Sequence, residues 1–341
     1  MTGTMGLGSW QSSMKSAIRD ARELCRQLHV DVESIGLSAD GESQFPVFVT
    51  QEYLSRIRKG DPRDPLLLQV LPTSFESNSS LGFHKDPVGD GAVEVVPGLL
   101  HKYAGRVLMV LSGACAIHCR YCFRRHYPYS SAPKSLADWE PALDYIASDS
   151  SIHEVILSGG DPLTITDSVL SQLSDRFNGI SHLKRLRIHT RLPVVIPHRV
   201  DRKLIEWVQG SRLSKWVVLH INHAREIDED VADAVRRLKS AGATILNQSV
   251  LLRGVNDSVE SLFELSERLM DIGVVPYYLH QLDRVEGASH FEVEPELGLR
   301  LIDELNTRLS GYGVPKYVQE IAGQPSKISV DALERLEIVV R

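Results

Sequence analysis

From Arg106 onward the chain is built on one repeated unit, and that repetition restricts its fold more than any other feature. Short β-branched, apolar runs alternate with amphipathic stretches about every 30 residues, the size of one strand–helix–strand step. The runs are RVLMVLS at 106–112, EVILS at 154–158, RLRIHT at 185–190, WVVLHI at 216–221, TILNQSVLL at 244–252 and VPYYLHQL at 275–282, with KYVQEI at 316–321 as a further candidate. Between them, 226–242 opens with acids and ends at a glycine, and 258–273 also ends at a glycine, as helices do. Repeated units of this kind imply a parallel sheet covered by helices, either open or curled into a barrel. The polar residues decide between these. The second run ends in Ser158-Gly159-Gly160-Asp161, the third in His189-Thr190-Arg191, the fourth in His220, Asn222 and His223, the fifth carries Asn247-Gln248-Ser249, and the sixth ends at Asp283. A barrel brings those ends to one mouth, whereas an open sheet spreads them out. The expected fold class is therefore α/β, a partial (β/α)6-type barrel, because a complete eightfold barrel needs more units.

The first hundred residues read differently. Residues 13–29 carry one helical stripe of Ile18, Ala21, Leu24, Cys25 and Leu28, which makes Cys25 a small buried apolar residue. A second helix is expected over 51–58, a turn at 59–62 and loop over 72–90. This gives an N-terminal helical cap and loop region at 1–98, the barrel at 99–311 and a short C-terminal segment at 312–341. No apolar run approaches the ~20 residues of a membrane span, so no membrane partner is expected. A net charge of −6 argues against a surface made mainly to hold nucleic acid. Four cysteines in 341 residues do not form a disulfide scaffold, so a reducing, cytoplasmic location is expected.

Three of those cysteines, Cys115, Cys119 and Cys122, follow the first run in a C-x3-C-x2-C pattern. A structural zinc site needs a fourth ligand, which His118 or His126 could supply. A redox dithiol of Cys119 and Cys122 leaves Cys115 unexplained. An iron–sulfur cluster with three protein ligands leaves one iron open, which suits a catalyst better than an electron carrier.

The run GACAIHCRYCFRRHYPY resembles the radical S-adenosylmethionine superfamily. With YCFRRH, SGGDPL, RLRIHTRLPVVIP, HINHAREI, LNQSVLLRGVND, PYYLHQLD and SGYGVP, the chain is similar to the lysine 2,3-aminomutase family. It is most similar to the branch that makes β-lysine for translation elongation factor P. KGDPRDPLLLQVL and VVPGLLHKY fit that branch too, so the likeness covers nearly everything beyond about residue 45.

The resemblance implies a radical S-adenosylmethionine barrel closed by the C-terminal segment, and a role for particular residues. Cys115, Cys119 and Cys122 would hold a [4Fe-4S] cluster, with S-adenosyl-L-methionine chelating its open iron. Tyr121 would pack on the adenine. Ser158, Gly159, Gly160 and Asp161 match the glycine-rich element, whose missing side chains would let backbone approach a ligand, and His220 and Gln248 match nucleoside contacts. Lys327 falls where the family lysine holds pyridoxal 5′-phosphate covalently, although Gly323-Gln324-Pro325-Ser326 departs from the glycine-rich run of the free-standing enzymes. Lys102, Tyr103 and Arg106 match the segment contacting that cofactor. Arg124 would bind the α-carboxylate of the substrate, while Asp283 and Glu320 would grip its ε-ammonium. Residue 320 is Glu where the free-standing enzymes have Asp.

The implied activity is an isomerase converting L-α-lysine to β-lysine by a radical 2,3-amino shift. The implied partners are free lysine, an external electron donor, elongation factor P and its ligase. The zinc-linked assembly that free-standing enzymes make through C-terminal cysteines is not expected, as no cysteine follows Cys122. One alternative is an aminomutase acting on another amino acid, such as glutamate. The other is a metal-bearing RNA or translation-factor binder without turnover, suggested only by the basic run HCRYCFRRH.

Overall fold

The computed structural model describes residues 9–37 and 45–333. Ten strands form one sheet whose spatial order is the order of the chain. They are β1 (Glu94–Val96), β2 (Leu99–Tyr103), β3 (Arg106–Ser112), β4 (Glu154–Gly159), β5 (Arg185–Thr190), β6 (Ser214–His220), β7 (Ala243–Val250), β8 (Val275–His280), β9 (Lys316–Gln319) and β10 (Ile328–Ser329). All neighbours from β3 through β9 pair parallel, while β1 and β2 precede them antiparallel and β10 returns antiparallel on β9. The further candidate at 316–321 is thus a strand, shortened at its end, so seven strands run parallel.

The sheet curls, and side-chain alternation shows it. Ile156 and Ser158 of β4, Arg187 and His189 of β5, Leu246 and Gln248 of β7, and Tyr278 and His280 of β8 all line the same cavity. Successive side chains of a strand point to opposite faces, so these alternate positions mark one concave inner face. The two ends of the sheet also meet. Lys102 on β2 donates to Glu320, just past β9, at 2.6 Å, a contact that a flat ten-stranded sheet would not allow. The fold is a partial barrel with its rims joined by an ion pair.

Helices cover the outer face because their sequences supply both a cap and an apolar stripe. Glu229–Ser240 starts at Asp228, whose carboxylate accepts from Val231 N, and it buries Val231, Ala234, Val235 and Leu238. Val259–Asp271 starts at Ser258, whose hydroxyl accepts from Ser261 N, and buries Leu262, Leu265 and Leu269. The chain then turns through Gly273 at φ 71°, a conformation that glycine adopts without strain.

The front section differs from expectation in three ways. The single helix expected over 13–29 is two, Trp10–Lys15 and Ala21–Leu28. The break occurs because Ile18 exchanges backbone hydrogen bonds with Val49, at 2.8 and 3.0 Å, and Asp20 caps the second helix. The stripe itself holds: Ile18, Ala21, Leu24, Cys25 and Leu28 are all buried. The helix at 51–58 stops at Leu54. Finally, the β1–β2 hairpin straddles the 98/99 boundary, with β1 before it and β2 after it, and one continuous apolar core takes residues from Trp10 to Val274. The front section is therefore part of the barrel's wall and core.

Candidate active site

The concave face encloses a cavity of about 720 Å³, within the range of small-molecule sites. Cys115, Cys119, Cys122, Tyr121, Arg124, Ser158, Gly159, Gly160, Asp161, His220, Gln248, Asp283, Glu320, Lys327, Lys102, Tyr103 and Arg106 all reach its wall. Residues more than two hundred positions apart in sequence are thus assembled into one site.

The cysteine loop leaves β3 and is fastened along its length. His118 N donates to Phe48 O at 3.1 Å, Arg120 N to Gln69 O at 2.8 Å, and Cys122 N to Cys119 O at 3.0 Å. The Arg120 guanidinium, fully buried, makes a two-pronged pair with Glu76 at 2.7 and 2.6 Å, and Arg125 joins the same carboxylate at 2.8 Å. All four cysteines are free thiols. Burial, reinforced by Cys119, pushes Cys122 up to about 11, and burial raises Cys115 well above the thiol range. Among the described residues no three His, Cys, Asp or Glu side chains converge on a single metal-ion position. His118 Nδ1 instead meets Pro46 O at 2.7 Å, and His126 meets Glu286 O. Three thiols on one wrapped loop are the donor set that a cluster with three protein ligands would take.

The glycine-rich element serves this loop directly, for a reason that differs from the one the sequence suggested. A Cβ on Gly160 would lie 2.5 Å from Ala114 O, and one on Gly159, at φ 125°, 2.5 Å from Ser112 O. Gly160 N donates to Ser112 O at 2.6 Å and Asp161 N to Ala114 O at 2.8 Å. The missing side chains let the end of β4 lie against the start of the cysteine loop. Asp161 is a strut: its carboxylate accepts from Thr190 Oγ1, Leu163 N, Arg191 N and Leu192 N, at 2.8 to 3.0 Å.

Tyr121 is locked between two of the cysteines. Its hydroxyl meets His220 Nε2 at 3.1 Å and accepts from Asn222 Nδ2 at 2.7 Å and Arg191 Nη1 at 2.9 Å. Its ring stacks on His220 at 5.7 Å. Burial, with the Arg191 charge, holds His220 down at about 3, so it is a neutral imidazole at physiological pH.

The remaining wall is a charged belt. Arg124 is 7% exposed, donates to Asp90 at 2.8 Å and to Ser158 Oγ at 3.0 Å, and presents a guanidinium suited to a carboxylate. Two acids line the same cavity. Glu320 accepts from Lys102 and from Lys327, which hold its carboxyl at about 2 against a burial effect that would raise it. Asp283 is different: burial, then the Glu320 charge, push it up to about 7, and its Oδ1 has no hydrogen-bond partner among the described residues. A buried carboxylate oxygen without a donor fits a cationic ligand. Glu320 is thus committed to the two lysines, and Asp283 is the acid left to meet a substrate ammonium. The Arg106 guanidinium lies 4.6 Å from the centre of the Tyr103 ring.

Sequence reasoning missed several wall residues. Asp90, partner of Arg124, lies in the loop at 72–90 and carried no local signal. Behind that wall, Gln69 accepts from the Tyr121 hydroxyl, and Gln69 and Glu226 both accept from Arg191. His189, with burial and Arg187 pushing its pKa well down and no partner for Nε2 among the described residues, was visible only as a polar strand end. The basic run that alone suggested the binder alternative is not an exposed surface: Arg120 and Arg124 are buried and the Arg125 side chain is 2% exposed, all three paired with acids.

Comparison with known proteins agrees with this geometry. The family model described as the radical SAM superfamily matches residues 109–266. The chain is 45% identical over 323 residues to the L-lysine 2,3-aminomutase of Escherichia coli K12, covering 94% of each chain. It is 44% identical to that of Haemophilus influenzae, again over 94% of each, and 34% identical to that of Clostridium subterminale, over 94% of this chain and 77% of the longer relative. A solved radical SAM methyltransferase from Sphaerobacter thermophilus gives a TM-score of only 0.45 at 18% identity, covering 65% of this chain and 68% of that one, too weak to add to this. Identity of this extent over nearly the whole length means that the chain belongs to the lysine 2,3-aminomutase family of radical S-adenosylmethionine proteins.

Proposed function

We propose that the protein is a lysine 2,3-aminomutase, converting L-α-lysine to β-lysine by moving the amino group between adjacent carbons. The observation that carries this reading is a single cavity lined by a three-thiol loop, a lysine at 327, the guanidinium of Arg124 and the carboxyls of Asp283 and Glu320. The names of the relatives support it. When bound, a [4Fe-4S] cluster with S-adenosyl-L-methionine supplies hydrogen-atom abstraction from carbon, and pyridoxal 5′-phosphate supplies a conjugated ring that stabilises an unpaired electron beside the migrating nitrogen.

The protein's own residues bind, align and exclude water. Cys115, Cys119 and Cys122 would hold the cluster, and Tyr121, His220 and Gln248 would contact the nucleoside. Lys327 would carry the pyridoxal, with Lys102, Tyr103 and Arg106 contacting that cofactor. Arg124 forks onto the α-carboxylate, its angle fixed by Asp90 and Ser158. Asp283 accepts from the ε-ammonium, so a lysine is stretched between fixed charges and its reacting carbons keep one position. A glutamate side chain would add a third negative charge beside Asp283 and Glu320, which disfavours that alternative.

Resemblance to the elongation factor P branch supports the finer proposal that the β-lysine is supplied to a ligase modifying that factor, in the cytoplasm, with an external electron donor. No helix among the described residues is long and apolar enough to cross a membrane. The test is anaerobic reconstitution of the full chain with iron, sulfide and pyridoxal phosphate, followed by incubation with isotopically labelled lysine. β-Lysine formation that requires S-adenosyl-L-methionine and a reductant is the expected result. Turnover of glutamate in preference to lysine would overturn the substrate, and a protein that binds neither cluster nor pyridoxal would overturn the reading.

A further inference from the structure

Behind the cysteine loop lies a buried cation that substrate binding does not use. Arg191 is 7% exposed and Glu226 is fully buried. Arg191 Nη1 donates to Cys119 Sγ at 2.7 Å and to Tyr121 OH at 2.9 Å. Its Nη2 donates to Glu226 Oε2 and to Gln69 Oε1, both at 2.8 Å. The other Glu226 oxygen accepts from the backbone N–H groups of Asn222 and His223, at 2.9 and 3.1 Å. The root of Arg191 is fixed as well, since its backbone N–H donates to Asp161 at 2.8 Å. The guanidinium therefore has one orientation, with one edge on a cysteine sulfur and the other on a carboxylate.

We propose that Arg191, charge-balanced by Glu226, sets the reduction potential of the iron–sulfur cluster through its bond to Cys119. This rests on the reading of the three cysteines as cluster ligands. Fold stability alone does not account for the pair, because a buried ion pair is commonly replaceable by apolar side chains of similar volume without loss. Its contact with sulfur is the distinguishing feature. Among the described residues no arginine or lysine side chain donates to Cys115 or Cys122, so Cys119 is the cysteine that a guanidinium bonds directly. One electron entering the cluster from an external donor raises the negative charge shared by the ligating sulfurs. An N–H donor and a positive charge at Cys119 stabilise that added electron, and hydrogen bonds to sulfur and net charge are established determinants of cluster potential. In a buried, low-dielectric setting the effect is little screened. Glu226 offsets part of it, so the two residues should act with opposite signs.

The full chain and the variants Arg191→Met, Arg191→Lys and Glu226→Gln would be reconstituted anaerobically, assayed for iron and sulfide per chain, and titrated by electron paramagnetic resonance against applied potential without substrate. In Arg191→Met the reduced-to-oxidised ratio at a fixed potential should fall on the order of tenfold, the weight of a charge-assisted hydrogen bond. In Arg191→Lys it should fall less, and in Glu226→Gln it should rise. If Arg191→Met retains no iron, the other two variants carry the same test of sign. Unchanged potentials in the Arg191 variants with cluster intact, or a Glu226→Gln shift in the same direction as theirs, would overturn the proposal. Wild-type protein that takes up no iron–sulfur cluster would instead refute the cluster reading beneath it.

Discussion

Asp283→Asn should stabilise the protein without substrate at alkaline pH while removing its hold on lysine. The carboxyl is raised from 3.8 to about 7 by burial and by Glu320, so the folded state disfavours its ionisation. The sign follows from proton linkage. A group whose folded pKa exceeds its unfolded one contributes stability fully below the unfolded value, near 4, and loses it as pH rises through about 7. A shift of about three units corresponds to ~4 kcal/mol in total, of which roughly 2–3 kcal/mol is lost between about pH 5 and pH 8. Water reaching the cavity would lower both figures. Asparagine has nothing to ionise, so the variant should lack this part of the pH slope in thermal or urea unfolding and should exceed wild type in stability near pH 8. The same ionisation governs substrate. An ε-ammonium is gripped by the anion, so wild-type KM for lysine should fall as pH rises toward 7, by up to ~10-fold per unit, while the variant shows a flat profile and an affinity weaker by ~10²-fold. Wild type and variant with the same pH slope of stability, or an unaltered KM, would refute the reasoning.

Cys115→Ala, Cys119→Ala or Cys122→Ala should each abolish iron retention after reconstitution, whereas Cys25→Ala, on a buried helix stripe and not in the cavity lining, should keep a full iron count. Borohydride reduction of pyridoxal-loaded protein followed by peptide mapping should place the label on Lys327, and Lys327→Ala should abolish it; a label on Lys102 or Lys316 would contradict the assignment. Gly160→Ala would put a methyl 2.5 Å from Ala114 O, a backbone atom that cannot rotate away, so unfolding should show a loss of at least ~2 kcal/mol together with reduced iron binding. Glu76→Gln should cost ~3–5 kcal/mol in a urea titration, because it leaves the buried Arg120 and Arg125 without their shared anion.

The sequence by itself determined the periodic part of this protein. Period-two runs bounded by turns and helices with capped starts need only neighbours within a few residues, so β3 to β8 and the helices at 229–240 and 259–271 lie close to where spacing put them. The C-x3-C-x2-C loop and Lys327 were legible through local motif likeness, and both reach the cavity. What the tertiary structure decided depends on contacts at long range. Whether the sheet curls, whether Glu320 meets Lys102 across 218 positions, and that Asp90 fixes Arg124 are consequences of closure that no local pattern encodes. The same holds for the two glycines at the end of β4, whose neighbours are set by a loop about 45 residues earlier, and for residues 13–29, where pairing of Ile18 with Val49 outweighed a continuous helical stripe. Charges are the clearest case. Arg120, Arg124 and Arg125 form a basic run in sequence, yet folding buries each against an acid. Burial sets the role of an ionisable group because desolvation forces it to find a partner or shift its pKa, and burial is a property of the assembled chain.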